Sequence, residues 1–135
     1  MLGEKIGEET GRVTNRRVVL REDGQPLMEV TFESKGHLLG VAYDGLITYK
    51  GAPRVGGALF GEGNGVLMTQ NGDSVTFLGN GIGHTKGPGN VTVWRGAIYY
   101  QTNAERLLRL NGIAAIFEHE VAADGTAKST VWEWK

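Results

Sequence analysis

The chain has 135 residues, enough for one domain with a real core, and its 40% apolar and 21% charged residues are those of a globular protein. A net charge of −1 supplies no field that would draw nucleic acid or an anionic membrane, and no apolar run approaches the roughly 20 residues that span a bilayer. The absence of cysteine excludes disulfides, thiolate nucleophiles and cysteine-ligated metal sites.

One domain is expected over 1–135, with residues 1–10 charged and read as a loose lead-in. The opening MLGEKIGEETG has no apolar stretch of the kind a signal peptide needs, so a cytoplasmic location is the default expectation. Gly11 to Arg21 then reads as a first strand rich in β-branched residues, ended by the turn Glu22-Asp23-Gly24-Gln25-Pro26. In Leu27 to Ser34, Met28, Val30 and Phe32 alternate with Glu29, Thr31 and Glu33, the pattern of a half-buried strand. Leu38 to Tyr49 holds one or two further strands, with Asp44-Gly45 as the expected turn. Gly51 to Gly57 is a flexible connection.

The next two strands carry a glycine comb. Gly61, Gly63 and Gly65 alternate along GEGNG, Gly79, Gly81 and Gly83 along GNGIG, with Asn71-Gly72 between them. Period two means strands, and each comb places its glycines on one sheet face. Glycine weakens a strand, so such a run marks a bend or the close approach of something large. After the turn Gly87-Pro88-Gly89-Asn90, Val91 to Thr102 is an aromatic-rich strand. Asn103 to Gly112 breaks the rhythm with a capping residue, helix formers and a closing glycine, which predicts a short helix near 104–110. Ile113 to Val121 and Ser129 to Trp134 form a last hairpin across Ala123-Asp124-Gly125-Thr126. Eight or nine closely spaced strands predict an all-β fold, a small closed antiparallel barrel.

A three-residue loop Asn71-Gly72-Asp73 would pair Gln70 with Ser74 and set Gly61, Gly63 and Gly65 opposite Gly83, Gly81 and Gly79. Pairing Lys86 with Val91 sets Trp94 opposite Gly83 and Gly96 opposite Gly81. The comb face then carries Leu67, Val75, Phe77, Trp94, Ile98 and Tyr100, and should face the core, with bare backbone making room for Trp94 and Tyr100. The opposite face mixes polar side chains with Val66, Met68, Leu78, Ile82, Val93 and Tyr99. It reads as partly covered, by the 104–110 segment or by another subunit.

The stretch Phe77 to Val91, FLGNGIGHTKGPGNV, resembles the glycine-rich strand–turn–strand of plant allene oxide cyclases and dirigent proteins. The resemblance implies an eight-stranded antiparallel barrel, often oligomeric, with an apolar lumen that shapes reactive hydrophobic molecules. Asn80 stands where those families have a small residue and His84 where phenylalanine is common. The acidic residue and the cysteine of the cyclase pocket have no counterpart anchored by this motif, so no catalytic residue carries over.

Leu67, Phe77, Trp94 and Tyr100, with His84 at the end of the comb strand, are the candidate ligand-lining residues; the rings serve equally well as core packing. Glu62, Asn64, Asn80 and Arg95 form a second, polar cluster that reads first as an exterior cross-strand network and alternatively as a substrate-orienting site. His37, His84 and His119 have no metal-ligand spacing, so no metal site and no cofactor are expected. On a strand, Glu118-His119-Glu120 puts two carboxylates on one face and the imidazole on the other. The expected partner is a small apolar or amphipathic molecule, not nucleic acid or membrane. The alternative is a non-catalytic interaction module acting as a homo-oligomer, a dimer or trimer.

Overall fold

A computed structural model describes residues 1–135 apart from Pro88, which leaves that one position of the expected 87–90 turn outside the described residues. Eight strands run in chain order: β1 (Leu2–Leu20), β2 (Pro26–Leu38), β3 (Val41–Pro53), β4 (Leu59–Thr69), β5 (Ser74–Lys86), β6 (Val91–Thr102), β7 (Ala115–Val121) and β8 (Thr126–Trp134), with a 3-10 helix, Glu105–Gly112, between β6 and β7. Each strand pairs antiparallel with the next and β8 returns to β1, so the sheet is a closed barrel with no free edge. Eight strands enclose an interior that side chains can nearly fill. No helix among the described residues is long and apolar enough to cross a membrane.

The loose lead-in over residues 1–10 is not found. Leu2–Leu20 is one long strand whose first half pairs with β8 and closes the barrel. Its glycines permit this: a side chain on Gly7 would meet the His37 carbonyl at 2.8 Å and Leu38 Cδ2 at 2.7 Å. Asp44-Gly45 is likewise no turn. Gly45 lies inside mid-β3, opposite Ser34 and against Leu67, and the β2–β3 reversal is made by Leu39-Gly40, both at positive φ as a two-residue type I′ turn requires. Four other hairpins share one design, a three-residue loop ending in a positive-φ glycine: Gly24, Gly57, Gly72 and Gly125.

The comb hairpin shows how forgiving period two is. Its loop is Gln70-Asn71-Gly72, not Asn71-Gly72-Asp73, so Gly61 faces Gly81 and Gly63 faces Gly79. This differs from the expected register by two residues, and a two-residue slip leaves every side chain on its expected face. The β5–β6 register is as expected, with Lys86 opposite Val91 and Trp94 opposite Gly83. Trp94 lies across three strands' glycines: an added Cβ would sit 2.6 Å from its ring at Gly61, 2.8 Å at Gly83 and 3.2 Å at Gly51. The second ring over the comb is Phe77, against Gly65, rather than Tyr100.

The 3-10 helix does not cover the outer face. Ala104, Leu107 and Leu110 belong to the interior cluster with Leu38, Leu67, Val75 and Tyr100, so the segment plugs one end of the barrel. Asn111 ties the plug to β6 by accepting from the Thr102 amide and donating to the Thr102 carbonyl, both at 2.9 Å. Arg109 bonds the buried Glu133 at 2.8 Å. Outside, Leu46, Val66, Met68, Leu78 and Tyr99 stay exposed on β3 to β6.

Candidate functional site

Alternation along each strand turns one set of side chains inward, and above the plug these do not quite fill the tube. An inner cavity of about 100 Å³ remains. Leu67, Phe77, Trp94 and Tyr100 line it, as the comb-face reading expected, together with Phe32, Ile47, Tyr49, Ile98 and Phe117. At the end away from the plug a second hollow of about 490 Å³ forms the mouth, bounded by the far ends of β1, β2 and β3 and by Leu59, Thr92 and Val121. Tyr49 and Trp94 border both spaces, their rings edge to face with centroids 5.5 Å apart, and so partition mouth from cavity.

One polar cluster breaks this apolar wall. Glu9, on the inward face of β1, borders the cavity and accepts three hydroxyl hydrogen bonds: from Tyr43 at 2.7 Å, Ser34 at 3.0 Å and Ser129 at 3.2 Å. No cation pairs with it among the described residues, and burial pushes its carboxyl above the ordinary range while the three hydroxyls oppose that rise. Ser129 also meets His119 Nδ1 at 2.6 Å. His119 stacks on Phe32 with centroids 4.9 Å apart, and burial lowers its pKa to about 4, so it is neutral near pH 7. When Glu9 is ionised the serine donates to the carboxylate and must accept from Nδ1–H, which assigns the imidazole proton to Nδ1 and leaves Nε2 bare. His119 Nε2 and Trp94 Nε1 are both buried without a protein partner. Burial raises the Tyr43 and Tyr100 hydroxyls as well, Glu9 adding to both, and burial pushes Tyr49 up to about 12.

His84 does not join this site. It follows the inward Gly83 and so points outward, exposed, opposite Val93. Glu62, Asn64, Asn80 and Arg95 are all exposed; Glu62 faces Asn80 across β4 and β5, while Arg95 pairs instead with Glu118 at 3.5 Å. No hydrogen bond or ion pair joins the four among the described residues, and of them only Glu62 and Asn80, between the comb glycines, border the inner cavity. His37 sits outside near Glu8, so the three histidines are dispersed, and no group of three metal-ligating side chains occurs among the described residues. Glu118 and Glu120 point outward to Arg95 and Lys128, on the face opposite the His119 ring.

Glu9, Ser34, Tyr43 and Ser129 are the site residues that sequence reasoning missed. A signal for Glu9 existed: Gly7 and Gly11 flank it at even spacing, a small comb of the kind recognised later in the chain. Tyr43 and Ser34 face the lumen because Asp44-Gly45 continues the strand instead of turning it.

Three crystal structures are similar to this chain. A protein of unknown function from Clostridium acetobutylicum matches with a TM-score of 0.81 at 10% identity, over 96% of both chains. A conserved protein of unknown function from Rhodopseudomonas palustris matches with 0.80 at 12%, over 99% of both. A beta-barrel like protein from Acinetobacter baumannii matches with 0.78 at 12%, over 100% of this chain and 96% of that one. The chain shares their fold. At these identities the likeness extends to the closed eight-stranded barrel and no further, and kinship with allene oxide cyclases stays a resemblance of the Phe77–Val91 stretch. No protein-family model matches the chain, and no curated protein matches it in sequence.

Proposed function

We propose that the barrel binds one small, largely apolar molecule in the inner cavity, taken in through the mouth past Tyr49 and Trp94. The observation that carries this reading is a cavity walled by aromatic and aliphatic side chains with a single convergent polar cluster, the usual design of a small-molecule site. An engineered apolar cavity of comparable size, roughly 150 Å³, takes up benzene, so one-ring molecules set the size class. The resemblance to cyclase-type barrels points the same way. Any chemistry on the bound molecule would come from holding its shape rather than from a nucleophile. Saturating one-ring hydrocarbons and amphiphiles should raise the melting temperature by mass action, and Ile47→Phe, which fills the cavity, should abolish the rise. Absence of a rise with every such compound defeats the reading.

A second reading rests on the outer face. Leu46, Val66, Met68, Leu78 and Tyr99, with exposures between 42% and 66%, form one apolar stripe over four adjacent strands. Such a stripe fits a homo-oligomer interface. Light scattering should then show a dimer or trimer that Leu78→Lys with Tyr99→Lys converts to monomer; a monomeric wild-type chain at high concentration rejects it.

A further inference from the structure

The inner cavity holds an acid that no cation faces among the described residues. Glu9 is a carboxyl in an aromatic chamber, and the titratable and polar groups facing it are Tyr43 from β3, Tyr100 from β6, Ser34 from β2, and Ser129 from β8 with His119 behind it on β7. None is a cation: the hydroxyls are neutral donors and His119 is neutral. Arg16, the one charged side chain lining the mouth among the described residues, stands at the outer rim and is exposed. A buried carboxylate without a counter-ion is expensive, because three neutral hydrogen bonds replace only part of its hydration. Its retention in a wall otherwise suited to hydrocarbon calls for a use.

We infer that the cavity selects a small organic cation, an amine or quaternary ammonium on an apolar body of about one ring, with the positive head against Glu9 and the body among Tyr49, Trp94, Tyr100 and Phe77. The inference rests on the lumen-binding reading and adds the ligand's charge to it. Three features converge. The carboxylate supplies the missing opposite charge, and a charge-assisted hydrogen bond is about twice as strong as a neutral one. The surrounding ring faces carry negative quadrupole potential, which attracts ammonium groups in the manner of aromatic cages. An anionic head would meet like charge with no cation to receive it. Binding and protonation compete at Glu9. An ammonium favours the ionised carboxyl and with it the hydroxyl arrangement that leaves the proton on His119 Nδ1. By linkage, ligand uptake near neutral pH releases whatever proton Glu9 still carries.

Three probes of one shape test this: cyclohexylamine, charged at pH 8, cyclohexanol, and methylcyclohexane, each titrated calorimetrically into the intact protein. The expected order places cyclohexylammonium first, by roughly tenfold or more over methylcyclohexane. In Glu9→Gln that preference disappears while methylcyclohexane binding persists. Should the variant fail to fold, the wild type still decides: cyclohexylammonium affinity falls as pH is lowered and Glu9 takes up a proton, and methylcyclohexane affinity does not. Equal binding of all three probes, or a pH-independent preference, overturns the cation assignment and leaves lumen binding intact. Binding of none of them overturns both.

Discussion

Leu110→Ala destabilises the protein by about 2–5 kcal/mol, and Leu107→Ala by a similar amount. Both side chains are closed off from solvent, at 0% and 2% exposure, and both sit in the interior cluster where the 3-10 helix caps the tube. Truncation there leaves a void between the plug and the ring of Leu38, Leu67 and Val75, and the strands around it cannot collapse because the hydrogen-bonded cylinder holds its diameter. Native domains have about 5–15 kcal/mol in hand, so either change consumes a large share. The melting temperature should fall by roughly 10 °C or more. Leu108 supplies the control. It lies in the same segment but is 49% exposed, and Leu108→Ala should stay within about 0.5 kcal/mol. Urea denaturation of the three variants separates the cases. Equal effects at Leu108 and Leu110 would mean that the segment does not plug the barrel.

The plug also marks where sequence reading works and where it stops. Good helix formers and a closing glycine place a helical turn after β6, but local pattern carries no information about what the turn covers. The outer face was the natural guess; the interior has it because Leu107 and Leu110 find a larger apolar partner inside the tube. The combs were legible for a different reason. Six glycines at period two leave a strip of bare backbone that an opposed ring can cover, and pairing Lys86 with Val91 across the Gly87–Asn90 turn sets Trp94 on it. That placement survived a two-residue error at the Asn71-Gly72 turn because faces depend on parity alone. Glu9 was illegible for the converse reason. A stretch containing Glu4, Lys5, Glu8, Glu9 and Arg12 looks like a solvated lead-in, and apart from Ile6 and Gly7 its residues are indeed exposed or half-exposed. Only closure of the sheet between β1 and β8 shows that the alternate face is interior, and closure is a long-range property that no window of residues displays.

The buried imidazole and carboxyl make opposite contributions to stability as pH changes, and replacing each in turn should expose them. His119 has a native pKa of about 4, below its ordinary 6.5, because burial disfavours the cation. Below pH 6.5 the unfolded chain takes up a proton that the native barrel refuses, so stability is lost as pH falls from 6.5 towards 4, by about 3 kcal/mol when the window is complete. Glu9 is raised above its ordinary 4.5 by burial. Its native state keeps a proton that the unfolded chain has released, so its contribution is full below 4.5 and is lost as pH rises through the raised value. Between pH 4.5 and 6.5 the two partly cancel in the wild type. Glu9→Gln removes the offset, and its stability should fall more steeply with acid over that interval. His119→Gln, which can still hydrogen-bond Ser129, leaves Glu9 alone, and its stability should hold or rise as pH drops to 4.5. Exposed carboxyls held below their ordinary values, Glu8 by Lys5 and Glu29 by Arg17, add their own acid loss only below that point and do so equally in all three proteins. Denaturation midpoints from pH 4.5 to 8 give the three slopes. A His119→Gln protein that keeps the wild-type slope between 6.5 and 4.5 would show that the imidazole is not held neutral in the wall of the lumen, and the hydrogen-bond chain from Glu9 through Ser129 would lose its last member.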